Sequence, residues 1–231
     1  MECIILAGGL GTRLQGVLEA GQPKCLAPIN GRPFLEYLLR YLENQYCSRV
    51  ILALGHHHLP ILEWLKTKAF FFRVEWSIEK EPLGTGGGIR KAALMCRDND
   101  VLVLNGDTLF DIDLPDLMAL HRAKNAAATL ALKPMKDFER YGTVQLNEEG
   151  RITAFQEKQP CAEGLINGGI YALNRESLMR LPLPQKFSFE KDFLETHIAD
   201  QYFAGFVQDG YFIDIGVPED FERAQRELKL S

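Results

Sequence analysis

The stretch Ile4-Ile5-Leu6-Ala7-Gly8-Gly9-Leu10-Gly11-Thr12-Arg13-Leu14, followed by Pro23-Lys24, decides how this chain folds. An apolar strand stops, a glycine-rich turn begins, and two cations arrive within one loop's reach. That succession describes a phosphate cradle: glycines let backbone N–H groups approach an anion, and an arginine clamps phosphate oxygens bidentately. A Walker loop needs a lysine after its last glycine, where Thr12-Arg13 stands. A dinucleotide fingerprint needs a third glycine, which Gly9-Leu10-Gly11-Thr12-Arg13-Leu14 lacks. A mere strand-to-helix connection has no use for Arg13 and Lys24.

Outward from this loop, strand and helix patterns alternate. Residues 3–7, 50–54, 71–78 and 101–105 read as strands, and 33–45, 59–68 and 85–96 as helices. This succession predicts βαβ units and a Rossmann-like, mostly parallel central sheet with helices on both faces. After Asp107 the pattern shifts to short strands at 126–133, 142–146, 152–156 and 169–173. They predict an antiparallel excursion or mixed sheet packed beside the parallel core. A helix at 190–199, a short strand at 211–213 and a closing helix at 218–230 complete the chain. With neither linker nor internal repeat, residues 1–231 read as one domain.

The bulk composition limits the function. The 231 residues are 46% hydrophobic and carry a net charge of −5, which disfavours a nucleic-acid partner. Five cysteines with no C-x-x-C pair predict reduced thiols, hence a cytoplasmic protein, and neither a disulfide framework nor a zinc site. No leader peptide and no membrane span is expected.

Four polar clusters fall at predicted strand ends, where open α/β sheets bind ligands. They are Arg13 with Lys24, the loop Glu81-Pro82-Leu83-Gly84-Thr85-Gly86-Gly87, Asp107 and Asp214. Asp107 and Asp214 each follow an apolar strand, a good place to hold Mg²⁺. Each alone could equally cap a helix, but two of them beside a phosphate loop favour shared metal ligation. Asp111-Ile112-Asp113 has a D-x-D spacing, but Leu114-Pro115 follows it, so Asp113 reads as a helix cap. His56-His57-His58 reads as a loop, because successive side chains diverge. Glu157-Lys158 and Asn167-Gly168-Gly169 are weak signals alone: a surface charge pair, and a bulge or a close approach to a ligand.

Together with Asn105-Gly106-Asp107, Tyr141-Gly142-Thr143-Val144 and Asp214-Ile215-Gly216-Val217-Pro218, these motifs resemble the sugar-1-phosphate nucleotidylyltransferase family. The match is ordered and spans nearly the whole chain. The chain looks most similar to the branch of D-glycero-α-D-manno-heptose 1-phosphate guanylyltransferases, and mannose-1-phosphate guanylyltransferases resemble it too. The resemblance implies the nucleotide-diphospho-sugar transferase fold with a small antiparallel sugar-binding subregion. Residues 1–107 would then mainly bind nucleotide, and 108–231 would mainly bind sugar phosphate and supply the closing helix.

The resemblance also implies a reaction. A sugar 1-phosphate attacks the α-phosphorus of GTP with Mg²⁺ present, pyrophosphate leaves, and a GDP-heptose for surface glycans is the product. By resemblance the catalytic set is Arg13, Lys24, Asp107, Lys158 and Asp214, with Asp107 and Asp214 as metal ligands. The nucleotide set is Leu6, Ala7, Gly8, Gly9, Gly11, Thr12, Arg13, Glu81, Gly84, Thr85, Gly86 and Asp107. The sugar-phosphate set is Gly142, Glu157, Lys158, Asn167 and Gly168. Glu81 is the expected acceptor for the guanine edge. Family members are often dimers or higher, so a homo-oligomer is among the expectations, as are GTP and a sugar 1-phosphate as partners and no membrane. Competing readings are another sugar-1-phosphate nucleotidylyltransferase, a nucleotide-sugar glycosyltransferase using Asp111 and Asp113, and a silent regulatory paralogue.

Overall fold

The computed structural model describes residues 1–9 and 22–229, so Gly11, Thr12 and Arg13 lie outside the described residues. A seven-stranded sheet organises the chain. Its strands are β1 (Glu2–Leu6), β4 (Arg49–Leu54), β5 (Arg73–Ile78), β6 (Asp100–Asn105), β8 (Ala128–Phe138), β11 (Cys161–Asn174) and β12 (Phe203–Val207). The spatial order is β12-β8-β11-β6-β1-β4-β5. Every neighbouring pair is parallel except the two that β11 makes with β6 and β8, so β11 alone runs against the other six.

The sheet is covered on both faces, and the strand sequences explain why. Along β1, β4 and β6 nearly every residue is apolar, and alternate side chains enter two separate cores. Cys3, Ile5, Leu52 and Leu104 meet the apolar stripe of α1 (Phe34–Asn44), which supplies Phe34, Leu35, Leu38 and Leu42. Ile4, Ile51 and Val103 meet Ile89, Ala92 and Ala93 of α3 (Gly84–Ala93) and an aromatic group of Tyr171, Phe189, Phe193 and Phe203. Phe189 and Phe193 come from a π-helical segment, Phe189–Glu195, where the sequence predicted an ordinary helix over 190–199.

The remaining elements frame this sheet. β2 (Pro28–Ile29) and β3 (Arg32–Pro33) form a small ribbon, and α2 (Leu59–Leu65) buries Ile61. β7 (Thr108–Phe110) pairs with β13 (Phe212–Asp214), and β9 (Val144–Leu146) with β10 (Ile152–Phe155). α4 (Leu114–Lys124), α5 (Arg175–Arg180) and α6 (Pro218–Glu227) complete the fold. Asp113 caps α4, its carboxylate accepting the Asp116 N–H at 2.8 Å, as its place before Leu114-Pro115 predicted. His56 to His58 form a turn, and all five cysteines are free. Among the described residues no helix is long and apolar enough to cross a membrane.

The later strands divide between two places. β9 and β10 form a small antiparallel pair, as expected, whereas β8, β11 and β12 extend the central sheet itself and make it mixed. Tyr171 pairs with Val103 of β6 on one side and Leu130 of β8 on the other, so the buried half of β11 seals the β6 edge. Because β11 runs backwards, its first half projects beyond the carboxyl ends of the parallel strands. There it pairs with the second half of β8, from Asn167↔Leu132 to Cys161↔Phe138, and Ile166 bridges Thr143 on its other side. Register breaks between Asn167 and Tyr171, where Gly169 adopts φ +72° and sits against the Asn105 side chain. This two-stranded arm rises beside the end of β6, and the ligand-facing loops lie along it.

Candidate active site

The carboxyl ends of β1, β4, β5 and β6 open onto a cleft of about 360 Å³. Leu6, Ala7, Gly8 and Gly9 form its floor, Lys24, Asn105 and Asp107 one end, and Glu79, Pro82, Gly84, Thr85 and Glu190 its wall. A second cleft of about 420 Å³ adjoins it under the β8–β11 arm. Asn105, Thr108, Arg140, Tyr141, Lys158, Asn167 and Asp214 line it. Each is large enough for one small molecule. Asn105 belongs to both, so the two clefts meet at the tip of β6.

Lys24, Asp107 and Asp214 gather at that junction. Lys24 stands on the turn Lys24–Leu26, whose entry Pro23 fixes, and its Nζ lies 2.5 Å from Asp107 Oδ2 and 3.9 Å from Asp214 Oδ1. Asp107 follows β6 directly, and its Oδ1 accepts the Thr108 hydroxyl at 3.2 Å. Asp214 ends β13, and its Oδ1 accepts the Gly216 N–H at 2.8 Å. The Ile215 N–H donates to the Asp107 carbonyl at 2.9 Å, locking the two strand ends together.

Two carboxylates thus share one ammonium, and the cluster keeps an excess negative charge. Burial first, then the neighbouring Asp107 charge, raise the Asp214 pKa against the opposing pull of Lys24. That donor set fits Mg²⁺, which takes one or two carboxylates and completes its shell with water and phosphate oxygens. No group of three or more histidine, cysteine or acidic side chains suited to a metal exists among the described residues. Among the described residues, Asp107 and Asp214 are the carboxylates that meet at Lys24.

The loop after β5 supplies the other wall. Gly84 opens α3 at φ +72°, and a Cβ there would lie 2.5 Å from the Phe187 carbonyl oxygen. Gly86 is buried against the Phe187 ring, behind the wall rather than on it. The Thr85 hydroxyl donates to Glu190 at 2.9 Å and accepts the Phe189 N–H at 2.8 Å.

Glu81 does not face this cleft. It is exposed and lines a neighbouring groove with Lys80, Arg90, Lys91 and Gln185. Glu79, two residues earlier, lines the cleft instead, and its Oε2 accepts the Leu83 N–H at 3.0 Å. The strand-end rule that found Asp107 and Asp214 also finds Glu79, the first residue after β5.

Lys158 and Asn167 both line the second cleft. Asn167 donates to the Tyr171 hydroxyl at 2.9 Å, and Gly168 is buried against the Phe110 ring. Gly142 packs against the Gln156 carbonyl, and Glu157 is exposed beside Lys158. Arg140 and Tyr141 are additional wall residues. Asp220 of α6 holds the Arg140 guanidinium at 2.5 Å. Burial, reinforced by Asp214, pushes the Tyr141 phenol up to about 12, so it remains a neutral donor.

Comparison with known proteins agrees with this geometry. A profile of the nucleotidyl transferase family matches residues 2–230. The chain is 47% identical over 229 residues to the D-glycero-alpha-D-manno-heptose 1-phosphate guanylyltransferase of Aneurinibacillus thermoaerophilus, covering 99% of each. It is 45% identical to the enzyme of that name from Campylobacter jejuni, covering 96% of this chain and 97% of the other. HddC from Yersinia pseudotuberculosis, solved in complex with GMP-PN, superposes with a TM-score of 0.89 at 36% identity, covering 99% of both chains.

Proposed function

This chain belongs to the nucleotidyl transferase family, and on that premise we propose that it transfers GMP from GTP to D-glycero-α-D-manno-heptose 1-phosphate, giving a GDP-heptose and pyrophosphate. The observation that carries the reading is the junction itself, with Lys24, Asp107 and Asp214 between a glycine-floored cleft and a cleft containing Lys158.

The triphosphate lies on Gly8 and Gly9 with its α-phosphate at Lys24, and Glu79 accepts the adjacent N–H groups of guanine. The sugar 1-phosphate enters the second cleft with its phosphate on Lys158 and its hydroxyls near Asn167 and Tyr141. One phosphate oxygen of the sugar attacks the α-phosphorus, and the bond to the β-phosphate breaks as pyrophosphate leaves. No side chain forms a covalent bond, so the protein contributes positioning and charge neutralisation. Lys24 offsets charge on the reacting phosphate, and Arg13 has the family's role on the departing pyrophosphate. Asp107 and Asp214 would hold Mg²⁺, which when bound neutralises the phosphate oxygens. Residues before 108 then serve mainly the nucleotide and those after it mainly the sugar phosphate.

A pyrophosphate-release assay tests this with GTP, ATP, CTP and dTTP, each against heptose, mannose and glucose 1-phosphates, with and without Mg²⁺. Release is expected with GTP and the heptose phosphate when the metal is present. Preference for mannose 1-phosphate would make the chain a guanylyltransferase of another sugar, and no release with any pair would remove the reading.

A further inference from the structure

Two carboxylates stand in the wall of the nucleotide cleft, and the base accounts for only one of them. The second is Glu190, carried by the π-helical segment. Its Oε2 is fixed by two hydroxyl donors, Thr85 at 2.9 Å and Ser188 at 3.2 Å. Its Oε1 has no protein partner among the described residues. A carboxylate held in this way inside a cleft for a polyanion opposes binding unless the ligand offers it hydrogen-bond donors.

A nucleoside triphosphate has donors of two kinds, the N–H groups of its base and the hydroxyls of its ribose. The positions of the carboxylates sort them. Glu79 follows β5, three strands from β6 in the sheet. Glu190 follows Phe189, whose ring packs 5.0 Å from that of Tyr171 on β11, the strand that pairs with β6. Ribose adjoins the α-phosphate and the base lies beyond it. We infer that Glu190 accepts the ribose hydroxyls of the nucleotide and makes the enzyme select ribonucleotides over deoxyribonucleotides. The inference rests on the nucleotidyl-transfer reading and adds to it a residue that reads the sugar of the donor.

The test compares GTP, 2′-deoxy-GTP and 3′-deoxy-GTP on the wild type, Glu190→Gln and Glu79→Gln. In the wild type, removing at least one hydroxyl is expected to lower kcat/KM by about 10-fold or more. In Glu190→Gln the ratio between GTP and that deoxy analogue should collapse toward one. In Glu79→Gln the ratio should persist while the preference among bases changes. Equal use of all three nucleotides by the wild type overturns the inference. So does a Glu190→Gln variant that loses rate equally on all three, which is what a carboxylate that only clamps Thr85 would give. Calorimetric binding of the same nucleotides to wild type and variants applies the same criterion without turnover. A failure of the transfer reading is thereby distinguished from a failure at Glu190.

Discussion

The Lys24 ammonium lies 2.5 Å from the Asp107 carboxylate, a contact between residues 83 positions apart in the chain. It joins the first turn after the glycine loop to the tip of β6. The lysine and the carboxylate that face the reacting phosphate therefore hold each other in place before any substrate arrives. Catalysis by positioned charge depends on such preorganisation.

Replacing Lys24 with methionine keeps an unbranched side chain, one heavy atom shorter, and removes the charge. Turnover at saturating GTP and sugar phosphate is expected to fall about 10²- to 10³-fold. Far-ultraviolet circular dichroism should stay unchanged. Pyrophosphate release within threefold of the wild type would mean that Lys24 does not act on the reacting phosphate.

Asp214→Asn carries a stability signature with a defined sign. The folded pKa of Asp214 is raised, chiefly by burial and then by Asp107. The folded state therefore binds this proton more readily than the unfolded chain, and ionising it costs stability at neutral pH. That cost is fully present above the raised folded pKa. It disappears as pH falls through that value toward the ordinary aspartate range near 3.9. Asp214→Asn should thus melt a few degrees higher than the wild type at pH 7, with the gap closing toward pH 4, while losing most activity. Melting curves across that range decide it; a gap that does not vary with pH, or a lower Tm at pH 7, contradicts the assignment.

Glu79 and Glu81 make opposite predictions although they are two residues apart. Glu79→Gln should weaken the preference for GTP over ATP, measured as the ratio of kcat/KM values, by roughly 10-fold or more. Glu81→Gln should leave that ratio within twofold. The reverse pattern would return base reading to the outer groove.

Gly84→Ala should raise the KM for GTP and destabilise the chain by roughly 1–3 kcal/mol. The φ of +72° and the 2.5 Å approach of the Phe187 carbonyl leave no room for a methyl group. Urea melts and a GTP titration of the initial rate measure both effects, and a variant with wild-type stability would show that the turn relaxes freely.

The parallel half of the fold was legible because β1, β4 and β6 are buried on both faces and read as apolar runs. Asp107 and Asp214 were legible for a related reason, since each ends such a run. The first half of β11 was hidden because Cys161–Asn167 has no unbroken apolar run, being interrupted by Glu163 and Gly164. β12 was hidden by Gly205 in the middle of five residues. The end of β5 at residue 78 was legible too, but Glu81 was chosen by resemblance. Only the fold of the loop after β5 puts Glu79 in the cleft lining and Glu81 in the neighbouring groove. Glu190 was out of reach altogether, because its place in the cleft depends on the packing of Phe189 against Tyr171.

The break in β11 separates two kinds of constraint within one strand. Tyr171, Ala172 and Leu173 are held by ladders on both sides, while Gly168 and Gly169 step out of register between the pairs at Asn167 and Tyr171. Loop and arm residues on the far side of that break, such as Arg140 and Tyr141, can be exchanged without shifting the pairing that seals β6. The recipient sugar is thus the more evolvable half of this chemistry, and laboratory retargeting of the enzyme should begin at Arg140 and Tyr141, leaving Lys158 for the phosphate and the floor at Gly8 and Gly9 as it is.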